Sequence, residues 1–316
     1  MFNKIIFITY INRSGSTFLV NNLSKSADIL VCPEAEILID LFLNTPAEPF
    51  NPDKRFSDRL FKAIETDTKL KYWGLLKKDI INDIKGAKTW FDAFIKFLEA
   101  YKKKVKPGSS TIVFKAERLI YSYNRIHPLA ALYNIRFVAL VRDCRAIFYS
   151  QNNTCIPETE QIMETNSLRL AKRWNTFMRM AEEYVKNDDF VIVSYESLIK
   201  DFNYYFKFVC ENLNIKPIKT ENKGDLRYRM PASHLTIHDS MGNNPEIEKI
   251  NLWHNNIGAH QLYILELVSG DLLVHSGYTL AHDSKKTINT FLLLISEYLS
   301  FLFSRAKRII IYRFKS

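Results

Sequence analysis

The chain has 316 residues, 47% hydrophobic and 25% charged, a balance that can bury a large core and excludes a disordered chain, a collagen-like fibre and a coiled coil. Its four cysteines (Cys32, Cys144, Cys155, Cys210) are scattered and form no CxxC pair, which excludes a disulfide scaffold and argues against a cysteine zinc site. Lys and Arg outnumber Asp and Glu by 44 to 34, and the formal net charge of +10 favours anionic partners: nucleic acid, membrane lipid or a phosphate-rich small molecule.

The opening MFNKIIFITY carries one lysine and a short apolar run without a small-residue cleavage site. It reads as the first strand (residues 5–9) rather than a signal peptide, so a cytoplasmic location with reduced cysteines is expected. A polar turn at 12–16 leads into a helix over 17–25, with Phe18, Leu19 and Leu23 at helical spacing. Residues 29–32 form a second strand candidate before Pro33-Glu34. Residues 44–58, with Pro46, Pro49 and Pro52, read as loop, and 59–104 as mostly helical up to the basic run Lys102 to Lys104. Pro107-Gly108 ends that stretch. A third strand follows at 111–115, helix and turn at 118–132, and a fourth strand at 136–141. Residues 142–150 run from loop into helix, 168–185 are helical, 190–194 are a fifth strand, and 195–212 read as one helix.

Five short apolar strands alternating with helices predict an α/β fold, a parallel sheet flanked by helices. Ligands of such sheets bind beyond the carboxyl ends of the strands, so the segments beginning at Arg13, Pro33, Lys115, Arg142 and Tyr195 are expected to converge on one cleft. No internal repeat or long linker interrupts residues 1–281, which read as one domain. Residues 282–316 read as a basic, apolar and helical tail. From 283 onward there are seven Lys or Arg and two acidic residues, a net +5. The apolar run 291–303 is too short and polar for a bilayer span. Packing on the body is the first reading of the tail, peripheral contact with an anionic membrane the second, and an oligomer contact the third.

The string Asn12-Arg13-Ser14-Gly15-Ser16-Thr17, between strand and helix, has the composition of an anion cradle. Gly15 allows a tight turn, the helix start presents backbone N–H groups, and the three hydroxyls and the Arg13 fork supply donors. It lacks the lysine of a GxxxxGK[ST] loop and is not GxGxxG, which disfavours an ATPase and a dinucleotide-binding dehydrogenase. A solvated turn would show the same residues. A second anion site is suggested where Arg142 ends the fourth strand and Ser150 lies eight positions on, with Asp143 as a helix cap; a surface ion pair Arg142–Asp143 is the plainer alternative.

Together these segments resemble the sulfotransferases that use 3′-phosphoadenosine 5′-phosphosulfate. RSGSTFL at 13–19 is similar to the family's phosphosulfate loop, and RFVALVRDCRAIFYS at 136–150 to its 3′-phosphate segment with the R-D-P-R-A pattern. KRW at 172–174, VIVSYESL at 191–198, NLWHNNIG at 251–258 and SGY at 276–278 follow in the family's order. The arginine that opens the loop resembles the Golgi-type carbohydrate and tyrosyl-protein members, and a bacterial member of the family is expected. Cys144 stands where the family has proline or glycine, and Thr154 where relatives often carry a basic residue.

The resemblance implies a P-loop-like sulfotransferase fold, 3′-phosphoadenosine 5′-phosphosulfate as donor, and no metal. It implies that Arg13, Ser14, Gly15, Ser16 and Thr17 hold the phosphosulfate and that Arg142 and Ser150 hold the 3′-phosphate. Tyr195 and Ser240 are further donor contacts, with Arg227 and Arg229 in the same polar stretch as Ser240. Arg13 and Lys115 would stabilise the transferring group, and Glu34 would act as general base ahead of Glu36, His234 or His238. Trp174 reads as core packing. The acceptor is expected to be a small molecule or glycan, a saccharide or glycolipid first, because Tyr72, Trp73, Trp90, Phe91 and Phe94 in the insert 37–108 would suit sugar rings. A protein tyrosine stays open as acceptor. A non-catalytic protein of the same fold and another phosphate-binding enzyme such as a small-molecule kinase are the alternatives; a nucleic-acid-binding module has no motif here.

Overall fold

A computed structural model describes residues 3–44, 50–51, 53–157, 159–218, 247–281, 295–299 and 302. These divide into two compact units, one holding the described residues of 3–10, 14–140 and 184–218, the other those of 11–13, 141–183 and 247–302.

The first unit is organised on a five-stranded sheet. Its strands are β1 (Lys4–Tyr10), β2 (Ile29–Val31), β3 (Thr111–Lys115), β4 (Ile135–Val141) and β7 (Phe190–Ser194), in the order β2-β3-β1-β4-β7. The pairs β1–β3, β1–β4 and β2–β3 are parallel. Strand β1 is buried along its whole length, as a sheet covered on both faces requires. Side chains alternate across a strand, so β1 serves two cores. Ile6, Ile8 and Tyr10 pack with Leu19, Val20 and Leu23 of the helix Ser16–Leu23 and with Phe206 and Val209 of the helix Phe202–Asn212. Phe7 faces the other way, among Phe94, Phe114 and Phe137 at ring-centroid distances of 6.2, 6.3 and 5.2 Å.

All five strand expectations hold, to within a residue or two at their ends. Three differences in the helices have local causes. The expected loop 44–58 gives way at Lys54, because Asp53 Oδ1 accepts from Phe56 N (2.6 Å) and caps a helix over Lys54–Thr66. The stretch 59–104 is not continuous: Asp67 Oδ1 accepts from Leu70 N (2.7 Å) and starts a short turn, Leu70–Trp73, which Gly74 ends at φ 65°. Two more helices follow, Lys77–Ile84 and Trp90–Val105. Residues 195–212 form two helices, Tyr195–Lys200 and Phe202–Asn212, because Asp201 leaves helical geometry to cap the second.

In the second unit, the helices Cys144–Asn152, Ser167–Tyr184 and Ala259–His275 accompany a small antiparallel pair, β5 (Cys155–Ile156) and β6 (Gln161–Ile162), that no sequence signal announced. Its centre is Arg145. The side chain is 2% exposed, pairs with Asp143 (2.7 Å) and Glu266 (2.5 Å), and stacks over the Trp253 ring at 4.0 Å. Most of the expected tail lies outside the described residues. Of it, residues 295–299 are helical and lie on the second unit, with Glu297 O accepting from Asn166 Nδ2 (3.2 Å) and Lys172 Nζ over the Tyr298 ring (5.2 Å). No helix among the described residues is long and apolar enough to cross a membrane.

Candidate active site

Tyr10 ends β1, and the chain then turns sharply. Arg13 at φ 75° and Gly15 at φ 86° are both left-handed, a conformation that glycine tolerates and arginine adopts only at a cost. The turn brings the chain into the helix at Ser16, where Gly15 has no side chain to cap the first N–H groups. A Cβ at Gly15 would lie 2.2 Å from Cδ2 and Cε2 of Tyr195, so the tyrosine ring rests on the glycine backbone. Ser14 Oγ is buried and, among the described residues, has no hydrogen-bond partner. A buried hydroxyl without a partner is costly, and an anion's oxygen would satisfy it. The residues present therefore fit a phosphate or sulfate at this loop.

Beside the loop, in the same unit, Lys115 at the end of β3 is almost fully buried. Its Nζ donates to Ser16 Oγ (3.3 Å), Thr17 Oγ1 (3.5 Å) and Glu34 Oε2 (3.4 Å), and lies 5.0 Å from the Tyr10 ring centroid. Glu34 Oε1 accepts from Lys69 Nζ at 2.5 Å. Burial works to raise the Glu34 pKa, but the Lys115 and Lys69 ammonium groups overrule it and hold it at about 2. Burial lowers the Lys115 pKa, opposed by Glu34. Burial, then Glu34 and Glu36, push the Tyr10 phenol well up. Glu36 is committed elsewhere: it accepts from Glu117 N and from Arg118 Nε (3.1 Å), while Arg118 also grips Asp40 (2.8 Å).

Arg13, Arg142 and Ser150 meet in the second unit. Arg13 Nε donates to Ser150 Oγ (2.9 Å), and Arg142 Nη1 donates to Arg13 O (2.7 Å). Gln151 Nε2 holds Asn12 O (2.7 Å), and the buried Trp174 donates its Nε1–H to Arg142 O (2.8 Å). Asp143 caps its helix by accepting from Arg145 N (2.8 Å) and pairs with the Arg145 guanidinium (2.7 Å). Cys144 occupies the first helical position, where proline is also at home, and is fully buried. Thr154 Oγ1 donates to Ser150 O (2.6 Å) and so anchors the serine's backbone.

The structure thus brings Ser14, Gly15, Ser16, Thr17, Glu34, Lys115 and Tyr195 together in one unit, and Arg13, Arg142 and Ser150 in the other. Ser240, Arg227, Arg229, His234 and His238 lie outside the described residues. The aromatic face expected of the insert is core instead: Trp73, Phe91 and Phe94 are buried, Trp90 packs on Phe50 and Phe56, and Tyr72 alone of the five is exposed. Sequence reasoning missed Lys69, Tyr10 and Gln151. Tyr10 carried a signal, as the last strand residue before the loop; Lys69 carried none. Among the described residues no group of His, Cys, Asp and Glu could hold a metal ion.

A family model described as "Sulfotransferase family" matches residues 6–218. No curated protein matches the sequence. Among solved structures, the sulfotransferase domain of the Synechococcus PCC 7002 olefin synthase is similar at 17% identity and a TM-score of 0.57, over 88% of this chain and 96% of that one. The sulfotransferase domain from the curacin biosynthetic pathway is similar at 17% identity and a TM-score of 0.57, over 88% and 98%. At these identities the likeness speaks for the fold.

Proposed function

The chain belongs to the sulfotransferase family, and from that premise we propose that it moves a sulfuryl group from 3′-phosphoadenosine 5′-phosphosulfate to an acceptor hydroxyl. The observation that carries this reading is Lys115, buried between the hydroxyls of Ser16 and Thr17 and the carboxylate of Glu34. One ammonium group there faces both an anion loop and a base. The backbone and hydroxyls of 14–17 bind the phosphosulfate end of the donor, where an anion oxygen would give the buried Ser14 Oγ the partner it lacks among the described residues. Arg142 and Ser150, with Arg13, bind the 3′-phosphate. Tyr195 keeps the loop in shape by resting on Gly15.

In the transfer, the acceptor oxygen bonds to sulfur as the bond from sulfur to the phosphate oxygen breaks. Catalysis is then mostly positioning and charge stabilisation, as in phosphoryl transfer. Lys115 stabilises the negative charge that grows on the leaving phosphate oxygen. Glu34 receives the hydroxyl proton. A carboxylate held near 2 is a weak base, so it takes that proton late, once the new bond to sulfur has made the hydroxyl acidic. A saccharide or glycolipid hydroxyl is the proposed acceptor. The basic C-terminal sequence supports a lipid-linked one, through peripheral contact with anionic membrane.

Calorimetric titration with 3′-phosphoadenosine 5′-phosphate tests the reading. Wild type is expected to bind in the micromolar range and Arg142→Ala to lose at least tenfold in affinity. A folded wild type that does not bind would refute it.

A further inference from the structure

Residues 69–78, in the insert between β2 and β3, read KLKYWGLLKK, four lysines without an acidic residue. Packing sorts them. Leu70, Trp73 and Leu75 are buried and fix the segment on the core, with the Trp73 ring 4.5 Å from Tyr101 and 5.8 Å from Phe97. The residues between them face out. Tyr72 is 41% exposed and Leu76 52%, and Lys71, Lys77 and Lys78 are exposed in the same stretch. Gly74, at φ 65°, turns the chain between the two apolar side chains. Lys71 Nζ lies 5.3 Å from the Tyr72 ring centroid and Lys77 Nζ 4.4 Å from that of Phe61, so each carries its stem along apolar surface and its charge at the end. The helix Trp90–Val105 brings more charge to the turn. Its Lys104 Nζ donates to Gly74 O, and the Lys103 side chain, 63% exposed, shares its charge with Asp83 (2.8 Å).

The surface therefore joins exposed apolar side chains to ammonium groups, and that combination selects its partner. A soluble polyanion would engage the lysines and leave Leu76 and the Tyr72 ring in water. A folded protein partner would need about 800 Å² on this side, for which one turn with two apolar side chains is a small anchor. An anionic bilayer uses every part. Its acidic headgroups attract each lysine, a contribution of about fivefold in partitioning apiece. A tyrosine sits well at headgroup level, and a leucine at the boundary with the acyl chains.

We propose that the turn 70–78 is a docking surface for an anionic membrane. It is a contact apart in the chain from the basic residues beyond 282, and it stands on its own exposed side chains. Its use rests on the reading of Glu34 as proton acceptor. Lys69 pairs with Glu34 at 2.5 Å, and Lys71 follows two residues later, at most about 7 Å along the chain. A membrane seated on the turn thus borders the carboxylate. A hydroxyl carried on a lipid headgroup is brought toward Glu34 while its acyl chains stay in the bilayer.

The test is sedimentation of the full chain with vesicles of phosphatidylcholine, alone or with about a third phosphatidylglycerol, read together with amide hydrogen exchange of residues 70–78. Wild type is expected to bind the anionic vesicles at least about tenfold better than the neutral ones, to leave them as salt rises, and to exchange several-fold more slowly at 70–78 when bound. Lys71→Gln with Lys77→Gln and Lys78→Gln is expected to lose at least about tenfold in binding, and Tyr72→Ser with Leu76→Ser several-fold. All five positions are exposed, so thermal unfolding should match wild type. Exchange at 70–78 that anionic vesicles leave unchanged would overturn the proposal even if the chain sediments with them, because the attachment would then lie elsewhere. Soluble polyphosphate that slows 70–78 as much as vesicles do, with the Tyr72 and Leu76 variant binding vesicles like wild type, would overturn it in favour of a polyanion site. Calorimetric binding of 3′-phosphoadenosine 5′-phosphate separates this proposal from the enzyme reading. If the nucleotide binds and vesicles do not protect 70–78, docking falls and the sulfotransferase reading stands. If vesicles protect 70–78 and the nucleotide does not bind, docking is upheld and the sulfotransferase reading falls.

Discussion

Replacing Gly15 with alanine probes how the anion loop is built. Two costs follow from the structure. At φ 86° an alanine sits in the left-handed region, which costs about 1–2 kcal/mol. Its Cβ would also lie 2.2 Å from two Tyr195 ring carbons, where ordinary contact begins at 3.4 Å. The ring must retreat or the loop must lift, an overpacking cost of about 1–3 kcal/mol. Gly15→Ala is therefore expected to destabilise the fold by about 2–5 kcal/mol. Tyr195→Ala removes the ring that causes the second cost and leaves the first. In the double variant the steric part vanishes, so the two single effects overshoot the double by about 1–3 kcal/mol. Urea unfolding of wild type, both single variants and the double measures this directly, with equal m-values as the check that the unfolded states are comparable. Additivity within about 0.5 kcal/mol would show that the ring does not bear on the glycine, and the account of the loop would fail.

Stability is expected to fall in acid partly through Glu34. Its folded pKa is depressed from 4.5 to about 2, so its ion pairs stabilise the fold fully above the unfolded value and lose that contribution as pH falls toward 2. The ceiling is about 3 kcal/mol. Glu34→Gln should flatten the slope of urea stability between pH 5 and pH 3; parallel slopes for the two proteins would contradict the ion pairs. In the second unit, Glu266→Ala removes one of the two carboxylates that pair with the buried Arg145 and leaves Asp143 as its counter-charge, so it should cost about 1.5–3 kcal/mol, the worth of a hydrogen bond to a charged group. Thermal unfolding measures the loss, and a Glu266→Ala variant within about 0.5 kcal/mol of wild type would show that this carboxylate does not bear on the guanidinium.

Much of this molecule is legible in its primary structure. The apolar runs around Ile6, Val113 and Val138 define strands because residues buried on both faces must be apolar whatever surrounds them. Glycine, proline and aspartate mark the turns, and the loop 13–17 is recognisable because its geometry depends on neighbours in the chain. The asymmetry of the helices is less visible. Asp53, Asp67 and Asp201 begin elements through bonds that reach three residues along the chain, and a periodicity argument over 59–104 or 195–212 passes over them.

Tertiary structure alone decided the chemistry of the two glutamates. Glu34 and Glu36 are two positions apart and identical in type. One meets lysines from positions 69 and 115, the other an arginine from 118. It also decided that Tyr195 rests on Gly15, and that the insert's aromatic rings fill a core rather than face an acceptor. The physical reason is range. Propensity, capping and periodicity act over a few residues and are written in local sequence. An ion pair or ring contact depends on where chain segments dozens of residues apart cross, and only the packed sheet with its covering helices fixes those crossings.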